Sequence, residues 1–430
     1  MIKRIINKLG HSRIAKNSAW MITETIIQMI VSLIINKIVS KYLGVTNYGI
    51  INYGISFLNF FNAICTLGLG TIAIKHLVND KDKQGEIIGT CIGMRLISSF
   101  ISILIISSLV FILKKGDSII IIVSIIQSFS LLSDTFNTIN WWNQYKLQSK
   151  LSAFATFIAY LVTAAFKVIL VYTKKSVVWF AFSNIIQSTI IAIVLYIIYK
   201  KQKSPKFSFS LARGKILLKE SYHFIISGLM VAIYAQTDKI MIGSMIDDMS
   251  SVGLYSVSVT IMQLWAFLPI AIIDSFKPAL LEMRKDSYER YMVKLKQLYS
   301  IIIWLSLAYT AFIFLLGKYI VLILYSKDYL GCLPSLRLII FGVLFSFIGV
   351  VREFWLVCEG KQKYAKYFAL FGALGNVILN FLLIPKYGIT GAAIATLSTQ
   401  VITGVIAPLF FKDTRDAVKH FICGLLFKYN

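Results

Sequence analysis

The chain has 430 residues, of which 57% are hydrophobic and 15% are charged, and it carries 44 Lys and Arg against 19 Asp and Glu. Its mean hydropathy of +0.76 excludes a water-soluble domain, and apolar runs of about 18 to 25 residues indicate membrane-spanning helices instead of the shorter strands of a membrane barrel. The net charge of +25 does not indicate nucleic-acid binding, because no polar module gathers the cations.

Apolar runs between charged or turn-forming breaks predict twelve membrane spans. They lie near residues 17–40, 48–72, 87–112, 118–141, 152–172, 177–199, 221–243, 253–276, 298–325, 335–357, 364–384 and 388–411. Gly317 and Lys318 suggest a break in the ninth span, so eleven and thirteen spans are the alternatives. The basic N-terminal residues precede a run without a small-residue cleavage site, which predicts a retained first span.

The Lys and Arg residues outside the spans fall mostly on one side of the predicted membrane. If the N-terminus is cytoplasmic, the inner segments hold far more of them than the outer loops. The positive-inside rule therefore predicts that both termini are cytoplasmic.

The polar stretch from Lys200 to Lys219 lies near the middle of the chain and predicts a hinge between two halves. Internal repeats support this division, because YGIINYGIS from Tyr48 is similar to VGLYSVSVT from Val252. A second pair aligns the segment ending at Lys167 with the one ending at Asn380. We therefore predict a six-helix bundle over 1–199, a cytoplasmic linker over 200–220, a second bundle over 221–411 and a cytoplasmic tail over 412–430.

Ionisable side chains inside the spans are the first candidate functional residues, because a charge at mid-bilayer costs about 2.5–3.5 kcal/mol on insertion scales. Glu24 lies in span 1 and Arg95 in span 3. Asp134 in span 4 shares a stripe with Asn137 and Trp141, for which a cavity wall and an interfacial belt are the two interpretations.

Further candidates lie in the later spans. Lys167 is the repeat counterpart of Asn380, which lies one helical turn from Asn376, and these matched polar positions predict a shared cavity wall. Asp238 is followed directly by a lysine, so the two side chains face different directions. Arg352 either faces a cavity or forms a structural ion pair.

Catalytic and metal-binding motifs are missing from the sequence. The five Cys stand singly, and neither a Walker A motif nor a Gly-x-Ser-x-Gly motif occurs. We therefore expect neither an enzyme, nor a cofactor, nor a metal site.

Three segments resemble a known family: KYLGVTNYGIINYGISFLNFF, QTDKIMIGSMIDDMSSVGLYSVSVTI and FWLVCEGKQKYAKYFALFGALGNVILNFLLIPKYGITGAAIATLSTQ. They are similar to the polysaccharide flippases, the Wzx-type exporters of O-antigen and capsule repeat units, within the multidrug/oligosaccharidyl-lipid/polysaccharide exporter superfamily. The resemblance implies an all-α membrane protein of two six-helix bundles, like the multidrug and toxin extruders. A central cavity would open alternately to each side.

The resemblance also implies a function in the bacterial inner membrane. The protein would carry undecaprenyl-pyrophosphate-linked oligosaccharides from the cytoplasmic to the periplasmic leaflet, with membrane lipid, a polysaccharide polymerase and a chain-length regulator as further partners. Arg95 and Lys167 would contact the pyrophosphate, and Glu24 and Asp238 would couple transport to protons or sodium. The other cavity candidates are Asp134, Arg352, Asn376 and Asn380.

Other functions would require different features in the sequence. An ion-coupled multidrug or cation exporter of the same fold is the first alternative, and it favours an acid-rich aromatic cavity. A polymerase or ligase normally has a large outer loop, which this sequence lacks. A flippase for peptidoglycan precursor usually needs two additional helices.

Overall fold

The computed structural model describes residues 13–202 and 204–429, with side chains from residue 28 onward. Over these ranges it contains helices and connecting turns but no strand, which confirms the all-α prediction. The chain divides into two compact units, Met1–Ala232 and Ile233–Asn430. The boundary between them lies inside one long helix, and the predicted bounds of the two bundles stay a prediction.

The first unit contains eight helices and the beginning of a ninth. They are α1 (Arg13–Cys65), α2 (Leu69–Asn79), α3 (Gln84–Leu113), α4 (Ser118–Ser128), α5 (Ser130–Asp134), α6 (Ile139–Tyr145), α7 (Ser149–Tyr172), α8 (Val177–Lys201) and α9 (Leu211–Met245). A short 3-10 turn, Thr135–Thr138, joins α5 to α6. In 3-10 geometry the backbone hydrogen bonds are poorer than in an α-helix, and this turn contacts α3.

The second unit contains the end of α9 and eight further helices. They are α10 (Ser250–Gln263), α11 (Phe267–Asp286), α12 (Tyr288–Leu324), α13 (Leu333–Ile339), α14 (Gly342–Cys358), α15 (Ala365–Val401), α16 (Ala407–Leu409) and α17 (Arg415–Leu425). A π-helical turn, Ile402–Ile406, joins α15 to α16. Part of the predicted cytoplasmic tail is therefore a helix, α17, which packs against α12.

Nine helical stretches in the described part of the chain are long and apolar enough to cross a membrane, and a pair of helices bent by 47°, Lys327–Ile339 and Gly342–Cys358, forms a tenth. Two of the nine stretches contain a glycine outside helical conformation, Gly44 in α1 and Gly388 in α15. Each glycine divides its stretch into two segments, which accounts for the twelve predicted spans. The break suggested at Gly317 was wrong, because α12 continues through it.

The lipid-facing and inward faces of α3 show why these helices suit a membrane. Large apolar side chains are exposed on one face, including Ile97, Phe100 and Leu104. Arg95 and Ser99 are buried on the opposite face. Polar groups turned inward and apolar groups turned outward are the expected arrangement where lipid replaces water.

Gly388 turns α15 back on itself. Its φ of +57° is accessible to glycine at little cost, and the chain reverses there. After the turn, a Cβ on Gly391 would lie 2.3 Å from the Leu383 carbonyl oxygen, and a Cβ on Gly372 would lie 2.6 Å from the Thr403 side chain. Small residues therefore allow the two arms of α15 to pack as a tight antiparallel hairpin.

The predicted linker is held against α3 over part of its length. Residues 204–210 are not helical, and they run along a groove formed by Gly85, Gly89 and Gly93. The Ser208 backbone N–H donates to the Gly85 carbonyl at 3.3 Å. The Ser210 backbone N–H donates to the Thr90 hydroxyl at 3.1 Å, and α9 begins at the next residue.

Candidate functional site

Arg95 and Asp134 form a buried ion pair in the first unit. Arg95 is 2% exposed, and its Nη2 lies 3.0 Å from Asp134 Oδ2. Its Nη1 donates to the Thr138 hydroxyl at 3.0 Å and to the Thr135 carbonyl at 3.3 Å. The other carboxylate oxygen of Asp134 accepts from the Asn137 amide. The positive charge of Arg95 is therefore already compensated within the protein.

A polar cavity of about 180 Å³ lies beside this pair, between α1, α5 and α8. Amide, hydroxyl and carboxylate side chains line it together with three aliphatic side chains. The polar residues are Asn59, Asn62, Ser130, Asp134, Asn184, Gln187 and Ser188. The structure thus places Asp134 at a cavity wall, with Arg95 behind it as the buried partner.

A second polar cluster surrounds Asp238 in the second unit. Asp238 is 5% exposed, and one of its oxygens accepts from the amides of Asn376 at 2.9 Å and Asn380 at 2.6 Å. The other oxygen accepts from the hydroxyls of Tyr255, at 2.6 Å, and Thr396. The Gly388 hairpin brings Thr396 opposite the two asparagines, so three segments of the chain converge on one carboxylate.

The Asp238 cluster differs from an ordinary buried ion pair. Within the described part of the chain no basic side chain lies within ion-pair distance of Asp238, and neutral donors surround it. The Asn380 side-chain oxygen is buried and accepts no hydrogen bond there. Oxygen atoms of a carboxylate, amides and hydroxyls are the groups that hard cations prefer. The cluster has the chemistry to take up a proton or a small cation.

Arg352 is the second buried arginine, and the structure gives it partners inside the second unit. It is 4% exposed, donates to the Thr403 carbonyl in the π-helical turn, and lies over the Phe368 ring at 4.5 Å. The exposed carboxylate of Glu353 is 3.9 Å away. These contacts match the alternative of a structural interaction, and Arg352 does not line the cavity of the first unit.

Lys167 is not brought to either cluster. Lys167 is partly buried on α7, forms no ion pair with any described residue, and does not line the cavity. The Glu24 side chain lies outside the residues that the structure describes. Both assignments stay predictions.

Several contributors were not selected from the sequence. Tyr255 and Thr396 lie in apolar helices and Thr138 lies in the 3-10 turn. Nothing in their own segments distinguishes these hydroxyl residues from core residues. Asn62 and Asn184 are amides inside predicted spans, a signal that was available because such groups need partners in lipid. Among the described residues, no group of three His, Cys, Asp or Glu is arranged to hold a metal ion.

Comparison with known proteins identifies the class of protein to which this chain belongs. The polysaccharide biosynthesis protein family matches residues 14–284. A multidrug resistance MATE family transporter of the MOP superfamily, in an inward-facing conformation, is similar with a TM-score of 0.66 and 16% identity, over 91% of this chain and 95% of that one. The lipid II flippase MurJ, in an inward closed conformation, gives 0.63 and 17%, over 95% and 91%. The chain is thus a multi-pass membrane protein with the fold of these transporters.

Within that class, the chain belongs to the polysaccharide biosynthesis protein family, as the sequence resemblance predicted. An uncharacterized membrane protein of Methanocaldococcus jannaschii is 32% identical over 140 residues, which is 33% of this chain and 27% of that protein. Capsular polysaccharide biosynthesis protein CapF of Staphylococcus aureus is 24% identical over 163 residues, 38% of this chain and 41% of CapF. The matches thus span less than half the length of either curated relative.

Proposed function

We propose that the protein is a flippase that moves undecaprenyl-pyrophosphate-linked oligosaccharide repeat units from the cytoplasmic to the periplasmic leaflet, for O-antigen or capsule biosynthesis. The observation that carries the proposal is membership of the polysaccharide biosynthesis family in a chain with a transporter fold. The physical task is to carry a pyrophosphate and a polar glycan across about 30 Å of hydrocarbon. Polar cavities inside apolar helices suit that task.

Under this proposal both termini are cytoplasmic, as the positive-inside rule predicts, and the two bundles alternate between inward and outward access. Lys167 is the proposed pyrophosphate contact, since no described side chain pairs with it. Arg95 acts mainly as the partner of Asp134, because both terminal nitrogens of its guanidinium already donate to protein oxygens. A polysaccharide polymerase and a chain-length regulator are the proposed partners that use the exported units.

Asp238 is the proposed coupling group. A carboxylate that is 5% exposed and whose described hydrogen-bond donors are all neutral gains a favourable charge interaction when it binds a proton or sodium. Tyr255 and Thr396 also contact each other at 2.9 Å, so their hydroxyls can redirect a hydrogen bond when Asp238 becomes protonated. An ion gradient would then bias the change between inward and outward access.

The direct test is flipping in proteoliposomes. Purified protein is reconstituted with a fluorescent undecaprenyl-pyrophosphate oligosaccharide, and a membrane-impermeant glycosidase reports the fraction of glycan in the outer leaflet. Protein-dependent exposure of glycan that is otherwise enclosed supports the proposal. Ion-driven efflux of ethidium from the same vesicles, with no glycan movement, would favour the multidrug exporter instead.

A further inference from the structure

We propose that the polar cavity of the first unit binds one uncharged pyranose ring of the transported glycan. The inference rests on the proposed function and specifies what this cavity recognises. It assigns sugar recognition to Asn59, Asn62, Asn184 and Gln187, none of which the sequence analysis selected. The pyrophosphate is therefore bound elsewhere.

The lining has the hydrogen-bonding pattern that sugar hydroxyls require. A sugar hydroxyl both donates and accepts, and a side-chain amide offers an acceptor oxygen beside two donor hydrogens. Four amides from α1 and α8 face the cavity, and Ser188 adds a hydroxyl. The side-chain oxygen of Asn62 is buried and receives no hydrogen bond within the described part of the chain. A ligand hydroxyl or a water molecule in the cavity would supply that missing donor.

The charge of the lining selects a neutral ring. Asp134 is the acidic residue of the wall, and its carboxylate is about one quarter exposed, whereas the Arg95 side chain behind it is 3% exposed. A ligand in the cavity therefore meets carboxylate oxygens before it meets the guanidinium. Those oxygens accept hydrogen bonds from hydroxyls but repel another anion, so a uronic acid or a phosphate is disfavoured.

The size and the apolar part of the lining suit one sugar ring. A volume of about 180 Å³ corresponds to about six water molecules at about 30 Å³ each, which is of the order of one hexose. Leu58, Leu131 and Ile191 provide aliphatic surface for the C–H face of the ring. This combination of an apolar surface with a few directed polar groups is typical of small-molecule sites.

The test uses full-length protein in lipid nanodiscs, because glycosidic detergents would compete for the cavity. Saturation-transfer NMR and titration compare methyl glucoside and methyl N-acetylglucosaminide with methyl glucuronide. We expect the neutral glycosides to bind and the glucuronide to bind at least about threefold more weakly, in line with one lost hydrogen bond. Equal or tighter binding of the glucuronide overturns the proposal.

Substitutions in the cavity lining test where the neutral glycosides bind. Gln187→Leu and Asn184→Leu should each weaken the binding of neutral glycosides about fivefold. Asn36→Leu is the matched control, since its amide bonds Ser32 within α1 and lies outside the cavity lining. Ser188→Ala is a smaller change that should still fold if a leucine variant does not. Thermal unfolding of every variant is measured as well. Undiminished binding in folded Gln187→Leu and Ser188→Ala protein overturns the assignment.

The same variants separate this inference from the proposed function. If wild-type protein flips the lipid-linked glycan and Gln187→Leu flips it equally well without binding sugar, the cavity takes no part in transport. Its assignment to the transported glycan is then wrong, and the flippase proposal stands. If wild-type protein moves no glycan but binds neutral glycosides in the cavity, the flippase proposal fails and the sugar site stands.

Discussion

Arg95 Nη2 and Asp134 Oδ2 lie 3.0 Å apart, and this pair joins α3 to the end of α5 inside the first unit. This pairing changes the role expected of each residue. Arg95, taken alone, has the charge to bind a pyrophosphate, but its hydrogen bonds are directed to Asp134 and the turn that follows it. Asp134 is consequently presented to the cavity as a hydrogen-bond acceptor of reduced net charge.

The ion pair predicts that mutations of Arg95 and Asp134 have strongly non-additive effects on the free energy of unfolding. Arg95→Ala should lower the free energy of unfolding by about 3–5 kcal/mol, because it leaves a carboxylate without its partner in a largely buried site. The double variant Arg95→Met with Asp134→Leu should recover most of that loss, since both charges are removed together. Thermal or denaturant unfolding in detergent measures this. Lys419→Ala in the exposed Lys419–Asp416 pair is the control, with a change of about 0.5 kcal/mol or less.

A double variant no more stable than Arg95→Ala would contradict this account of the pair. The glycan-flipping assay adds a second readout. If Arg95 acts through Asp134, the folded double variant should still flip glycan measurably, whereas a direct pyrophosphate contact would make its loss complete.

The Asp238 cluster predicts that glycan flipping no longer depends on an ion gradient in the variant Asp238→Asn. Asp238→Asn keeps the shape of the side chain but removes the charge that a proton or sodium would balance. We expect glycan flipping driven by an imposed ion gradient to fall to the level of gradient-free vesicles. Imposing the proton and sodium gradients separately identifies the ion.

The matched control for Asp238→Asn is Asp274→Asn, the same change at a residue whose side chain is 57% exposed and pairs with Lys277. It should leave gradient-driven flipping unchanged. Asn380→Ala should weaken coupling without abolishing it, because the carboxylate and its other donors remain. Full ion-driven flipping by Asp238→Asn would exclude Asp238 as the coupling group.

The sequence predicted the helices and the individual residues of this site better than the contacts between them. Membrane spans follow from local apolar runs, and Asn376 and Asn380 were expected on one face because four residues make about one helical turn. Their contact with Asp238 depends on the packing of α9 against the Gly388 hairpin, over 138 residues of chain. Periodicity carries no information about such pairings. The linker is a similar case, since its polar composition predicted a hinge, whereas the glycines that hold it lie in α3.

The glycine groove on α3 predicts a sensitive position. A Cβ at Gly89 would lie 2.4 Å from the Ser208 carbonyl oxygen, so Gly89→Leu must displace the 204–210 segment. We expect a loss of about 1–3 kcal/mol in unfolding free energy and faster tryptic cleavage at Lys206. Gly228→Leu in α9 is the control, because among the described residues its added Cβ would meet no neighbouring side chain or segment within 4 Å. Unchanged cleavage in Gly89→Leu would show that the segment is not held by this groove.

His420 on α17 predicts an acid-sensitive contact at the C-terminus. The imidazole is 7% exposed, between the Tyr299 and Trp355 rings, and burial lowers its pKa from 6.5 to about 4. The folded protein therefore binds fewer protons than the unfolded chain between these two pH values. Stability is unaffected above about pH 6.5, falls as the pH drops toward 4, and is lower by about 3 kcal/mol below that.

Asp416, one turn before His420, acts in the same direction at lower pH. Lys419 holds the pKa of the Asp416 carboxyl below its usual value, so its contribution is lost only as the pH falls through that lowered pKa. Thermal unfolding between pH 7.5 and 4 measures the slope that His420 contributes, because the Asp416 carboxyl titrates below this range. His420→Phe should remove most of the slope between pH 6.5 and 4 while keeping the aromatic packing. An unchanged slope in that variant would assign the acid sensitivity to other groups.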